Sequence, residues 1–137
     1  MARMFNWLNI SAGMAGGIIS FAFGGFDNLF GILLMLIILD FAVGIAKGIH
    51  NRRLSSNLCM KGICKKAIQL AVIAMANMIG TATGDALPFR EVVIMFFIAN
   101  EAISIMENAA DAGVEIPDSL KKVLHQIKNK EDNKEEK

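Results

Sequence analysis

The chain has 137 residues, of which 54% are hydrophobic, with a mean hydropathy of +0.46 and a formal net charge of +1. Its length points to one domain, and an apolar fraction this high, gathered in blocks between short polar breaks, excludes an ordinary soluble domain. The net charge says nothing about partners, but the distribution of charge does.

Apolar runs near 18 residues read as bilayer spans, since roughly 20 helical residues cross about 30 Å of hydrocarbon. In lipid the backbone must satisfy its own hydrogen bonds, so the runs must be helices. No period-2 alternation argues for transmembrane strands. The expected class is therefore all-α: an integral membrane protein of four transmembrane helices, or three if the first block lies in the interface, followed by a short cytoplasmic amphipathic helix.

The first block leads to an expected span at 8–25, with Trp7 placed to sit at the interface. Arg3 precedes it as in a signal peptide, but the apolar stretch is long for one and no small-x-small cleavage site follows. Gly16, Ser20 and Gly24 fall four apart, with Ala12 ahead of them. Such a small-residue ridge lets another helix approach closely in lipid, and this favours four spans over three.

The second span is expected at 29–46, where an unbroken apolar run meets Asp40. Gly44 and Gly48 share the face of Asp40. An intramembrane acid usually faces protein, so Asp40 reads as a helix–helix contact in search of a polar partner. The plainer alternative is an acid snorkelling near the interface, about two turns from Lys47.

Between positions 47 and 66 stand Lys47, Arg52, Arg53, Lys61, Lys65 and Lys66, with no acid. The positive-inside rule makes this segment a basic cytoplasmic loop that sets the topology. Anionic lipid is a natural by-product partner; nucleic acid is not expected, because no aromatic residue is interleaved. Cys59 and Cys64, at i, i+5, form no C-x-x-C pair and read as reduced thiols.

The third span is expected at 67–84, with Ala76, Gly80 and Gly84 as a second small ridge, and residues 85–90 as a tight outer connection containing Pro88. The fourth is expected at 91–110. There Asn100, Glu101, Ser104, Glu107 and Asn108, with Asp111 beyond, fall on one broad polar face. A helix apolar on one side and acidic on the other must hide that side in a bundle or line water with it. The bland alternative, a helix ending near Ala102 with a wet extension, explains Glu107 and Asn108 but not Asn100 and Glu101.

Residues 1–112 thus form the transmembrane part and 113–137 a cytoplasmic tail. In the tail, Pro117 suits the first turn of a helix over 118–128, in which Leu120, Val123, Leu124 and Ile127 recur at helical spacing. The polar end beyond it should be disordered. His50 and His125 are isolated from other ligand types, no catalytic or phosphate-binding motif occurs, and no metal or cofactor is expected.

Several stretches carry a family resemblance. They are Leu39-Asp40-Phe41-Ala42-Val43-Gly44-Ile45-Ala46-Lys47, then Leu54-Ser55-Ser56 after the basic pair, and Lys61-Gly62-Ile63-Cys64-Lys65-Lys66. Most telling is Asn100-Glu101-Ala102-Ile103-Ser104-Ile105-Met106-Glu107-Asn108, followed at the usual distance by Gly113-Val114-Glu115-Ile116-Pro117-Asp118-Ser119-Leu120-Lys121. In order and spacing, over 29–128, these resemble the phage-lysis and toxin-secretion holin family, including the holin-like proteins of clostridial toxin loci. Ala42-Val43 departs from that pattern where a hydroxyl residue often precedes the glycine, and Glu115 is more acidic than usual.

The resemblance implies a homo-oligomer in the bacterial cytoplasmic membrane. It would form lesions that release a cell-wall hydrolase (an endolysin) or a toxin, time host lysis, and catalyse nothing. Two other classes remain: a small ion channel or transporter using Asp40 and Glu101, and a membrane anchor that recruits a soluble partner through the tail helix.

Overall fold

The computed structural model describes residues 2–53, 55–120, 122 and 126. It contains four helices, α1 (Ala2–Phe23), α2 (Asn28–His50), α3 (Ser56–Ala82) and α4 (Phe89–Asp111), and no strand among the described residues. The helix starts have local causes. Asp27 caps α2 by accepting a hydrogen bond from the Phe30 amide at 2.9 Å, and Ser55 caps α3 by accepting from the Leu58 amide at 3.3 Å. Gly24 and Gly25, at φ +73° and +96°, turn the chain between α1 and α2, a backbone that side-chain-bearing residues resist.

Direction follows from which residues meet. Along α2 and α4 the pairs Asp27–Arg90, Asp40–Asn108 and Lys47–Asp111 advance together, so these helices run parallel. Helix α3 runs against both: Lys66 meets Asp40 and Glu101, while Asn77, further along, reaches the carbonyls that end α1. The apolar core joins three helices, with Phe30 and Leu33 from α2, Ile73 from α3 and Ile94 from α4 buried. Helix α1 packs on α3 and reaches this core through its last residue, Phe23, whose ring stacks on Phe30.

The outer surface is apolar. Ile32, Met35 and Ile38 of α2, Ile68, Met75 and Met78 of α3, and Val92, Met95 and Phe96 of α4 are exposed. Apolar exposure on every helix is unlike a soluble monomer, whose apolar patches are small, and is what lipid contact requires. Two helices, α2 with 23 residues and α3 with 27, are long and apolar enough to cross a membrane. The apolar part of α1, Asn9–Phe23, is shorter, and α4 carries Arg90, Glu91, Glu101, Glu107 and Asp111. Two candidate spans therefore stand where the sequence led us to expect four or three.

The expected basic loop at 47–66 is mostly helix. Helix α2 continues to His50 and α3 begins at Ser56, so most of the expected loop lies within the two helices. The Ser55 cap starts α3 eleven residues before the apolar run at 67, because a helix needs a cap and permissive residues, not hydrophobicity. Gly84 is also relocated: α3 ends at Ala82, and Gly84 at φ +68° belongs to the turn that follows, not to a ridge. Of the tail helix expected at 118–128, residues 118–120, 122 and 126 are helical. Val123, Leu124, His125 and Ile127, and the end expected to be disordered, lie outside the described residues.

Candidate functional site

The polar residues of the bundle meet in a cluster across α2, α3 and α4. Asp40 is the thirteenth of the 23 residues of α2, a helix about 34 Å long at 1.5 Å per residue, so it sits near mid-helix. At the same level the Lys66 ammonium bridges two carboxylates, Asp40 Oδ2 at 2.7 Å and Glu101 Oε2 in closer contact. Glu101 is 1% exposed. The Asn108 amide nitrogen donates to Asp40 Oδ1 at 3.3 Å. About two turns onward along α2, Lys47 donates to Asn108 Oδ1 at 3.1 Å and pairs with Asp111 at 2.5 Å.

Helical geometry explains the choice of residues. Glu101, Ser104, Asn108 and Asp111 are spaced three, four and three apart, so they share one face of α4. Glu107 is off that face and exposed, and Asn100 is half-buried beside it. The polar face read from the sequence is thus narrower than expected. Lys65 and Lys66 are separated by about 100° around α3: Lys65 is exposed, whereas the side chain of Lys66 is 15% exposed and turned into the bundle. Lys66 is therefore not the surface topology residue that the run of basic residues implied. Lys61, Arg52 and Arg53 are exposed.

The cluster leaves some polar atoms unmatched. Glu101 Oε1 and both side-chain polar atoms of Gln69, one turn from Lys66 on α3, are buried without a hydrogen-bond partner. Each such atom costs about 1–3 kcal/mol. An open cleft of about 210 Å³ lies between α2 and α3, lined by Asp40, Gly44, Gly48, Gly62, Lys66 and Asn108 among others. Gly44 is thus not sealed against a neighbouring helix within the chain; a β-carbon there would meet only Asn108 Nδ2, at 3.8 Å.

The other end of the bundle holds a second polar contact that sequence reasoning missed. The Arg90 guanidinium makes a two-pronged contact with Asp27, at 2.7 and 3.1 Å, and donates through Nε to the Phe23 carbonyl at 2.6 Å. Asn77 donates to the carbonyls of Phe21 and Ala22 at 3.0 and 3.1 Å. Together they receive the carbonyls left unpaired where α1 ends. The Arg90 contact and the Phe30 amide hold the Asp27 carboxyl below its ordinary value. The available signal was Asp27 itself, an N-cap residue directly before an apolar run; its arginine partner lies 63 residues away and left no local trace.

The small-residue positions divide. Ala76 and Gly80 are buried within the chain, and Gly24 lies against Asn77 and Arg90. Gly16 and Ser20 are exposed, and a β-carbon on Gly16 would meet nothing within 4 Å. No group of three or more His, Cys, Asp or Glu able to hold a metal ion occurs among the described residues.

Residues 17–129, which include the whole polar cluster, match the Bacteriophage holin family. The chain belongs to this family. A probable holin of Bacillus phage phi105 is 34% identical over 106 residues, covering 77% of this chain and 78% of that protein. An uncharacterized 14.9 kDa protein in the nagH 3′ region of Clostridium perfringens is 36% identical over 131 residues, 95% of this chain and 99% of that one. The YtkC protein of Bacillus subtilis is 31% identical over 127 residues, 93% of this chain and 92% of its own length. No solved structure matches the chain. Membership in a family of non-enzymatic membrane proteins agrees with the two apolar helices of spanning length.

Proposed function

We propose that this holin-family chain self-assembles in the bacterial cytoplasmic membrane and forms lesions that release a cell-wall hydrolase, an endolysin, or a toxin. The observation that carries the reading is the Asp40–Lys66–Glu101 cluster, ionic and partly unmatched, enclosed by helices whose outer faces are apolar. In the resting form α4 keeps its polar face against α2 and α3. In the lesion the same face lines water, where the unmatched Glu101 Oε1 finds a partner. Two packings of similar free energy, biased by the density of the protein in the membrane, are enough for a switch.

In this reading α1 and α4 cross the bilayer with α2 and α3, giving four spans. The basic end of the bundle and the tail, 113–137, face the cytoplasm, in keeping with Arg52, Arg53, Lys61 and Lys65. Arg90 and Asp27 close the outer end. The exposed ridge at Gly16 and Ser20, and the cleft beside Gly44 and Gly48, are the surfaces offered to a second copy. The buried Ala76 and Gly80 serve packing within the chain.

The test is inducible expression in a bacterium, following membrane potential, viability and release of a co-expressed hydrolase. Abrupt loss of potential after a delay, with release of the hydrolase, is the expected result. Sustained, substrate-dependent flux without death would instead identify a channel or transporter working through Asp40 and Glu101.

A further inference from the structure

The cluster carries unequal charge. Asp40 and Glu101 contribute two negative charges and Lys66 one positive charge. Neighbouring charges do not restore the balance. Lys47 is paired with Asp111, and Arg53 at the open end of the cleft is water-exposed and forms no ion pair with either acid. Enclosed among apolar helices, one uncompensated carboxylate is a costly state that a bound counter-charge removes. The two acids are not equivalent. Asp40 receives Lys66 and Asn108 and lines the cleft, where water can reach it. Glu101 is more deeply buried, does not line the cleft, and leaves Oε1 with no partner.

We infer that the resting bundle binds one proton at this cluster, carried on Glu101 Oε1, and that this proton locks the closed form. With it the cluster is neutral: Lys66 stays an ammonium ion, Asp40 a carboxylate and Glu101 a carboxylic acid. The cleft beside Asp40 and Lys66 opens toward the basic end of the bundle, which gives the proton its route. The second half of the inference rests on the lesion reading. Once α4 turns its polar face to water, Glu101 ionises and one proton per chain is released. The closed form binds the proton more tightly than the open one, so it is favoured as pH falls and loses that advantage as pH rises.

The proton is read directly by infrared spectroscopy of the full chain, carrying carbon-13 glutamate, in sealed vesicles of phosphatidylethanolamine and phosphatidylglycerol at neutral pH with choline as the only added cation. A carboxylic-acid carbonyl band of glutamate is expected. It should be lost in Glu101→Gln and kept in Glu107→Gln. A wild type without the band, or a band that survives Glu101→Gln, overturns the site. Replacing choline with sodium or potassium should leave the band in place; its loss would mean that a metal cation, not a proton, balances the charge. Should Glu101→Gln not insert, the carboxyl carbon-13 resonances of the wild type decide. One buried glutamate that ionises only on alkaline titration supports the site, and uniform ionisation at neutral pH removes it. Lys66→Met should add a protonated aspartate to the spectrum, because Asp40 then lacks its cation; no new band would refute the charge count.

The lock is read by dye release from the same vesicles. The protein density needed for release should fall as pH rises and become independent of pH in Glu101→Gln. A wild-type threshold that does not move with pH overturns the lock alone. Absence of any release, with the band present, would count against lesion formation and leave the proton site standing.

Discussion

Neighbouring residues of this chain have opposite fates, and the contrast can be measured. Lys66 meets two acidic side chains inside the bundle while Lys65 stays exposed. Removing one partner of a buried charge pair costs about 3–5 kcal/mol, because the remaining charge is left uncompensated. Exposed substitutions usually stay within about 0.5 kcal/mol. Lys66→Met should therefore lower the unfolding free energy in mild detergent by about 3–5 kcal/mol, and Lys65→Met should leave it unchanged. Equal effects would mean that Lys66 is not internal. Gly24 makes a second case. A β-carbon there would fall on Asn77 Oδ1 and within 2.9 Å of Arg90 Nε, on a backbone at φ +73°. Gly24→Ala should cost at least about 1–3 kcal/mol by thermal unfolding, whereas Gly25→Ala, strained in φ but free of contacts, should cost less.

Asp27 ties the residue scale to pH. Its carboxyl is held below its ordinary value by Arg90 and the Phe30 amide. The stabilisation it supplies is complete above the ordinary carboxylate value and disappears as pH falls through the depressed folded-state value. The carboxylate is 48% exposed, so solvent screening keeps the contribution small. The stability difference between wild type and Asp27→Asn should be present at neutral pH and vanish in acid; a difference independent of pH would show that the charge of Asp27 is not what matters.

At the scale of elements, α1 and α2 invite different substitutions. Gly16 on α1 touches nothing within 4 Å, so Gly16→Leu should leave the fold intact and reduce cross-linking between chains, if the exposed ridge is where copies meet. Unaltered cross-linking would assign oligomer contact elsewhere, with the cleft beside Gly44 and Gly48 the next surface to probe. The core helices obey a different constraint. In α4 the apolar Ile94 and the acidic Glu101 lie about two turns apart on the face turned to the bundle, and both are buried. The amphipathic face of α4 was legible in the sequence from spacing alone. Its width was not: Glu107 is exposed and Asn108 is inside, a difference set by where α2 lies.

Across the whole molecule, the proposed function makes the balance between a closed bundle and an open assembly depend on the polar cluster. Glu101→Leu removes one of the two acids and the need to shelter it, so the interval between induction and loss of membrane potential should change. An interval identical to wild type would mean that the cluster plays no part in timing. The family match over residues 17–129 covers the segments that build both the cluster and the Arg90–Asp27 contact. The arrangement can therefore be tested in relatives, including the 34% identical probable holin of Bacillus phage phi105.

Helical class, apolar blocks, a basic end and an acidic face on the last long helix were all readable from the sequence alone, because hydropathy and periodicity are local properties of the chain. The partners of the charges were decided only by the tertiary structure. Lys66 was indistinguishable from Lys65, and Arg90 from any loop arginine, until α2, α3 and α4 came together. The pairing energy of a charge depends on distances between residues far apart in the chain, here 63 positions for Arg90 and Asp27, and a reading based on local pattern contains no such distances.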